Sequence, residues 1–381
     1  MRELNLAAFS KAISLCLGSG IDFFLISGDL FNTAVPSIDA LKAAVAGLRA
    51  LKDSGIPVYA IAGSHDYSTS GKTILDVLEE AGLLANVSKV PFVVDPKTNA
   101  RIAGISGRKG MLDKHDYETL SRETLEAEGG FRIFMFHTGI AEFKPEHLKD
   151  MDSVPLSLFP KNINYYAGGH IHHVYLREEP GYGIIVFPGP VFPNNFGELQ
   201  DLKTGGLYLV DADEKNSIQC EFVPVKVCKV ITVGIDCSEL TVEEANASLA
   251  EAAEKLSFPQ DEKTVVLLRL KGTLSSGKTS EIDYRGFFAK AYSLGAYYVA
   301  KNTASLSSKE FESIRVQQET VEDIERAILA EHAAEITGIS DGEPIFRELM
   351  HVLNAEKEES ESKTDYEDRI AAEGEKVLRL E

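Results

Sequence analysis

Apolar positions at helical spacing open the chain. Leu6, Phe9, Ile13, Cys16 and Leu17 fall on one face of a helix that Gly18 and Gly20 end. The run IDFFLIS (21–27) then has the unbroken apolar character of a strand buried on both faces. Ile38, Leu41, Val45, Leu48 and Leu51 mark a second helix before Gly55, IPVYAIA (56–62) a second strand, and KTILDVLEEAGLL (72–84) a third helix. Strands alternating with helices imply parallel pairing through crossover helices. From about residue 87 the pieces become shorter and extended: SKVPFVVD, ARIAGIS, FRIFMFH, INYYAGG, GIIVFPG and GGLYLVDA. They predict a second sheet packed on the first.

The pattern restarts near residues 223–230, where VPVKVCKVITVGI (223–235) leads into a second α/β pattern. A helix carrying Ala245, Leu249 and Leu256 leads to the strand KTVVLLRLKG, the helix YRGFFAKAYSLG and the strand AYYVAKN. This divides the chain into residues 1–225, a small α/β capping domain at 226–305 and a helical, acidic C-terminal region at 306–381. Ile324, Ile328 and Leu329, then Ile345, Leu349 and Leu353, form apolar stripes there that suit either a docked partner or the chain's own core. The last 26 residues carry ten acidic and five basic side chains and read as a solvated tail.

Composition narrows the class. Of 381 residues, 44% are hydrophobic and 26% charged, as in a folded protein too long for one ordinary core. No apolar run approaches the roughly 20 residues that span a bilayer, and MRELNLAAFSKAISLC lacks the plan of a signal peptide. Four cysteines without a C-x-x-C pair imply no disulfide framework, so the chain reads as cytoplasmic and without a membrane partner. A net charge of −20 argues against nonspecific coating of nucleic acid. It does not exclude a nuclease, because bound divalent cations supply positive charge that a formal count omits.

The chemistry sits where apolar strands end. Four segments do so: SGDLFN with Asp29, AGSHD with Ser64, His65 and Asp66, FHTG with His137, and GGHIHH with His170, His172 and His173. In an extended segment, residues i and i+2 point the same way, so His170 and His172 aim at one locus and His173 away from it. Imidazoles with a carboxylate suit a first-row divalent metal, and Asp29 could bridge two such ions. Gly28, Gly63, Gly139 and Gly169 beside these residues permit close backbone approach. His115 and His147 read as solvated, His332 and His351 lie far from the motifs, and Arg108 with Lys109 forms the best nearby basic spot.

GDLFN, GSHD, FHTG and GHIHH, in this order, resemble the calcineurin-like metallophosphoesterases, and within them the SbcD-type nucleases of double-strand-break repair. FPGPVFPNNFGE (187–198) is similar to a loop of that branch. The resemblance implies a four-layer α/β/β/α sandwich and a two-metal phosphodiester hydrolysis. Two Mn²⁺ ions are usual, with Mg²⁺ or another divalent metal as a substitute. Asp29 would bridge the metals, His137, His170 and Ser64 would serve one, and His172 the other. His65 would contact the scissile phosphate as a general acid, oriented by Asp66. The implied partners are DNA ends, an SMC-like ABC ATPase and a second copy of the chain as a homodimer. Two departures stand out: Ser64 replaces the family's Asn, and no Asp-x-His precedes Asp29. The chain therefore reads as lacking the family's first strand, with one tight metal expected rather than two. A small-molecule or nucleotide phosphodiesterase, and a non-catalytic scaffold, are the alternative functions.

Overall fold

The computed structural model describes residues 1–68, 71–108, 114–127, 129–144, 151–259, 261–310, 342–355 and 363–378. The chain folds as two compact units, Met1–Val230 and Ile231–Glu381.

In the first unit, α1 (Arg2–Gly18), β1 (Phe24–Ser27), α2 (Ile38–Asp53), β2 (Val58–Ile61), α3 (Ile74–Glu80) and β3 (Ala85–Asn86) alternate. β1, β2 and β3 form an all-parallel sheet in that order. The expected helices are present, with their faces turned from those the apolar spacing gives. α1 buries Leu4, Ala8, Ala12, Ile13 and Cys16 and leaves Leu17 exposed, and α2 buries Ala44, Leu48 and Leu51 while Ile38 is exposed. Close helix contact is the reason. A Cβ on Gly47 would stand 2.8 Å from the Phe9 ring, so small residues occupy the seam that side-chain size alone would not select. β2 is buried throughout, but in β1 only Ile26 is. Among the described residues β1 pairs with β2 alone, its second edge borders a cavity, and the expectation of a strand buried on both faces fails there.

The second sheet is built from β4 (Val93–Val94), β5 (Arg101–Ile105) and β6 (Arg132–His137), with α4 (Lys114–Glu118) and α5 (Arg122–Glu126) between the last two. A small ladder, β7 (Gly139–Ile140) with β8 (Ser153–Val154), comes next. β9 (Tyr165–Gly169), β10 (Tyr175–Glu179) and β11 (Gly183–Phe187) complete the sheet in the order β10-β11-β9-β6-β5-β4. Alternation along its strands divides two cores. Ile133, Met135, Tyr165 and Ala167 meet Tyr59 and Ile61 of the first sheet, and Phe134, Phe136, Tyr166 and Phe187 face Tyr117 of α4 and Leu125 of α5. The layers are thus the α/β/β/α expected. α6 (Phe196–Leu202) and the hairpin of β12 (Gly206–Ala212) with β13 (Ile218–Pro224) follow, and Tyr208 and Cys220 of the hairpin pack on the inter-sheet core.

The second unit holds β14 (Lys229–Asp236) from Ile231 onward, α7 (Val242–Glu254), β15 (Thr264–Leu274), α8 (Tyr284–Ser293) and β16 (Tyr298–Ser308), the strands in one sheet of order β14-β15-β16. β15 and β16 are parallel, and the apolar faces of α7 and α8 close one core with Leu268, Leu270 and Val299. α9 (Gly342–Leu353) and α10 (Lys363–Leu378) are helical as expected, with Ile345 buried, Leu349 half-buried and Leu353 exposed. The stripe of Ile324, Ile328 and Leu329 lies outside the described residues, as do Lys109, His147 and His332.

Candidate metal centre

The parallel strands deliver their chemistry at one end. β1 ends at Ser27, and the next turn places Asp29 at φ +51 after Gly28 at φ +89. An L-residue with positive φ is strained, and such strain collects at functional sites. Gly28 allows the approach, since a Cβ there would overlap His137 Nδ1. Gly169 at the end of β9 is equally constrained, for its Cβ would overlap the Ser27 carbonyl. His170 follows at φ +77, so the chain is not extended through GGHIHH, as i, i+2 alignment would require. The two imidazoles nonetheless border one space, brought there by this turn rather than by pleat geometry.

That space is a cavity of about 1640 Å³ running along the open edge of β1. Asp29, His65, His137, His170 and His172 all line it, whereas Ser64 and Asp66 are buried behind it. His137 is 3% exposed, and its Nδ1 lies 2.7 Å from the Ser27 carbonyl. A carbonyl only accepts, so Nδ1 carries the hydrogen. Nε2 is left buried without a hydrogen-bond partner, 3.1 Å from Asp29 Oδ2. Two acceptors face one another there, an arrangement that requires either a proton or a cation between them. Burial works to raise the Asp29 pKa, but His137 when a proton occupies Nε2, and the His65 N–H that donates to Oδ1 at 2.8 Å, hold it below its usual value.

His170 stands edge-on to His137, with ring centroids 5.2 Å apart. Burial first, and His137 next, push its pKa down to about 4, which keeps the ring neutral as a ligand must be. His172 Nδ1 lies 2.7 Å from Glu198 Oε1, and this contact raises its pKa. The orphaned Nε2, the opposed carboxylate and the neutral imidazoles are the donor chemistry of a divalent cation site. Among the described residues, no three His, Cys, Asp or Glu side chains converge as a finished metal cage. His137 and Asp29 are the seat in place.

His65 is exposed, with Nδ1 3.1 Å from the Asn32 carbonyl. Its orientation comes from that backbone atom and not from Asp66, which corrects the sequence reading. Asp66 instead accepts the Gly63 N–H at 2.8 Å and the Phe31 N–H at 3.3 Å, clasping the turn after β1 to the turn after β2. Burial raises its pKa to about 6, because taking a carboxylate out of water costs more than two neutral donors return. Glu198 was missed. Its signal was present in Asn195-x-x-Glu198, the spacing of a helix N-cap and its third residue. His115 is exposed beside Glu118, and Arg108 lies 3.6 Å from Asp116 and over the Tyr67 ring.

Residues 3–174, which include Asp29, His65, His137, His170 and His172, match the calcineurin-like phosphoesterase family. The match covers just under half of the chain, and the matched family implies divalent metal ions. The chain's relatives are more particular. It is 29% identical to the DNA double-strand break repair protein Mre11 of Methanococcus maripaludis over 56% of this chain and 59% of that one. The Mre11 of Archaeoglobus fulgidus is 26% identical over 70% of this chain and 62% of its own, and that of Sulfolobus acidocaldarius 27% over 70% and 68%. The chain spans about three fifths of the length of these curated relatives.

Proposed function

We propose that this chain is the nuclease subunit of a DNA double-strand-break repair complex, hydrolysing phosphodiester bonds at DNA ends. The observation that carries the reading is the buried, unpartnered His137 Nε2 facing Asp29 Oδ2 beside an exposed His65. When bound, a divalent cation, Mn²⁺ by the family resemblance, supplies the nucleophilic water and neutralises phosphoryl charge. Asp29, His137, His170 and His172 would hold it, with Ser64 outside the cavity and a weak candidate. His65, held through Nδ1 by Asn32, presents Nε2 to the cavity. In its protonated form it donates that proton to the leaving oxygen as the P–O bond breaks. Similarity to Mre11 proteins supports a DNA substrate, and the family resemblance an SMC-like ABC ATPase partner and pairing of two copies. The test is hydrolysis of end-labelled linear duplex DNA with added Mn²⁺, against Asp29→Ala. Mn²⁺-dependent cleavage that the substitution abolishes supports the reading, and cleavage that survives it sinks the assignment.

A second reading, a scaffold that keeps the fold without turnover, is favoured by the absence of a three-residue metal cage among the described residues. It predicts no hydrolysis of DNA or of bis-p-nitrophenyl phosphate at any Mn²⁺ concentration. Turnover of the small ester alone would instead favour a small-molecule phosphodiesterase.

A further inference from the structure

Three histidines at the site are held through Nδ1 by an oxygen that accepts. His137 meets the Ser27 carbonyl, His65 the Asn32 carbonyl and His172 the Glu198 carboxylate. Each ring then carries its hydrogen on Nδ1 and keeps the Nε2 lone pair for another partner. Two of these anchors are backbone atoms, which no substitution removes. Among the described residues, Glu198 is the side-chain anchor of the set. It is also well fixed, because its Oε2 accepts the Asn194 N–H at 2.9 Å and its Oε1 the Asn195 amide at 2.5 Å. Its own N–H donates to Asn195 Oδ1 at 2.9 Å, tying it into the first turn of α6. The Glu198 side chain is 15% exposed against 54% for His172, so the anchor is more tightly packed than the ring it holds.

We propose that Glu198 is a positioning residue for His172: it fixes the Nδ1–H tautomer and aims Nε2 into the cavity as a ligand for a divalent cation. This rests on the cation-site reading above and names a residue outside the four strand-end motifs. A carboxylate behind a ligating histidine sets its tautomer and orientation, and losing it typically costs roughly 10–100-fold in metal affinity. Backbone anchors make His65 and His137 insensitive to substitution of the anchor, so that kind of control falls on His172.

The experiment uses the whole chain and two readouts: ring-nitrogen NMR of the metal-free protein for the His172 tautomer, and Mn²⁺ titration calorimetry. Glu198→Ala should give a mixture of His172 tautomers and roughly 10–100-fold weaker Mn²⁺ binding. Glu198→Gln, whose amide oxygen still accepts, should keep the Nδ1–H tautomer and most of the affinity. In a His172→Ala background, Glu198→Ala should cause no further loss, since its effect runs through that ring. An unchanged tautomer in Glu198→Ala overturns the proposal. So does an equal loss of affinity with and without His172, which would assign Glu198 to the stability of α6 alone. If the tautomer shifts as expected but the unsubstituted chain binds no Mn²⁺, the anchor is real and the cation reading has failed.

Discussion

At the level of single residues, each histidine's role follows from which nitrogen is already in use. His65 and His137 differ in exposure and in what faces Nε2, so their substitutions should separate. His65→Ala should slow hydrolysis by roughly 10²–10⁴-fold, the usual yield of general acid catalysis, and leave Mn²⁺ affinity nearly intact. His170→Ala should lose both, and metal loss in His65→Ala would refute the division of labour. Calorimetric titration of the unsubstituted chain should find at most one tight Mn²⁺, since Asp29, His137, His170 and His172, the candidate ligands lining one cavity, are too few for two complete sets. Two equally tight ions would overturn that count. Away from the site, Asp95 accepts the buried Tyr59 hydroxyl at 2.8 Å and the Thr98 N–H and hydroxyl. Burial alone would raise the Asp95 pKa, but these bonds hold it below its usual value. Its stabilising contribution is therefore present above the unfolded pKa of about 3.9 and lost as pH falls through the lower folded value. Asp95→Ala should cost about 1–3 kcal/mol, because it strands a buried hydroxyl. Urea melts at neutral pH should show that loss, and below pH of about 4 the gap to the unsubstituted chain should narrow.

At the level of elements, the sequence made strands and helices legible because burial imposes period two or 3.6 on whichever chain adopts them. It did not disclose which helix face was covered. Leu17 and Ile38 carry the pattern yet are exposed, since the seam between α1 and α2 selected Ala8, Ala12 and Gly47 for their size. Nor did it disclose that the strand of INYYAGG stops at Gly169, since a left-handed turn at His170 depends on how closely β9 approaches Ser27. That contact gives a sharp expectation. Gly169→Ala forces its Cβ into the Ser27 carbonyl, displacing the His137 anchor along with it. It should lower the Tm of the first unit by several degrees and weaken Mn²⁺ binding. Gly234→Ala, where the added Cβ meets nothing within 4 Å, should leave both within error. Equal effects would mean that the β1–β9 contact is not what shapes the site.

For the whole molecule, the chain divides after Val230, and each unit closes a core of its own. Differential scanning calorimetry of the intact chain should resolve two transitions, with saturating Mn²⁺ raising only the one that belongs to Met1–Val230. A single transition that moves as one would refute independent cores. The net charge of −20 belongs to this scale too, because it leaves cation-assisted contact as the main route to a phosphate backbone. By itself the sequence determined the alternating elements, the restart after residue 223, and the four strand-end motifs with Asp29, His65, His137, His170 and His172. Those features are local, since periodicity and polar residues after an apolar run are written within a few positions. Only the tertiary structure decided the tautomers, the open edge of β1, the clasp of Asp66 on Gly63 and Phe31, and the hold of Glu198 on His172. The contacts that decide these join separate segments, by 35 positions for Asp66 with Phe31 and 26 for His172 with Glu198, and only packing fixes which atoms meet.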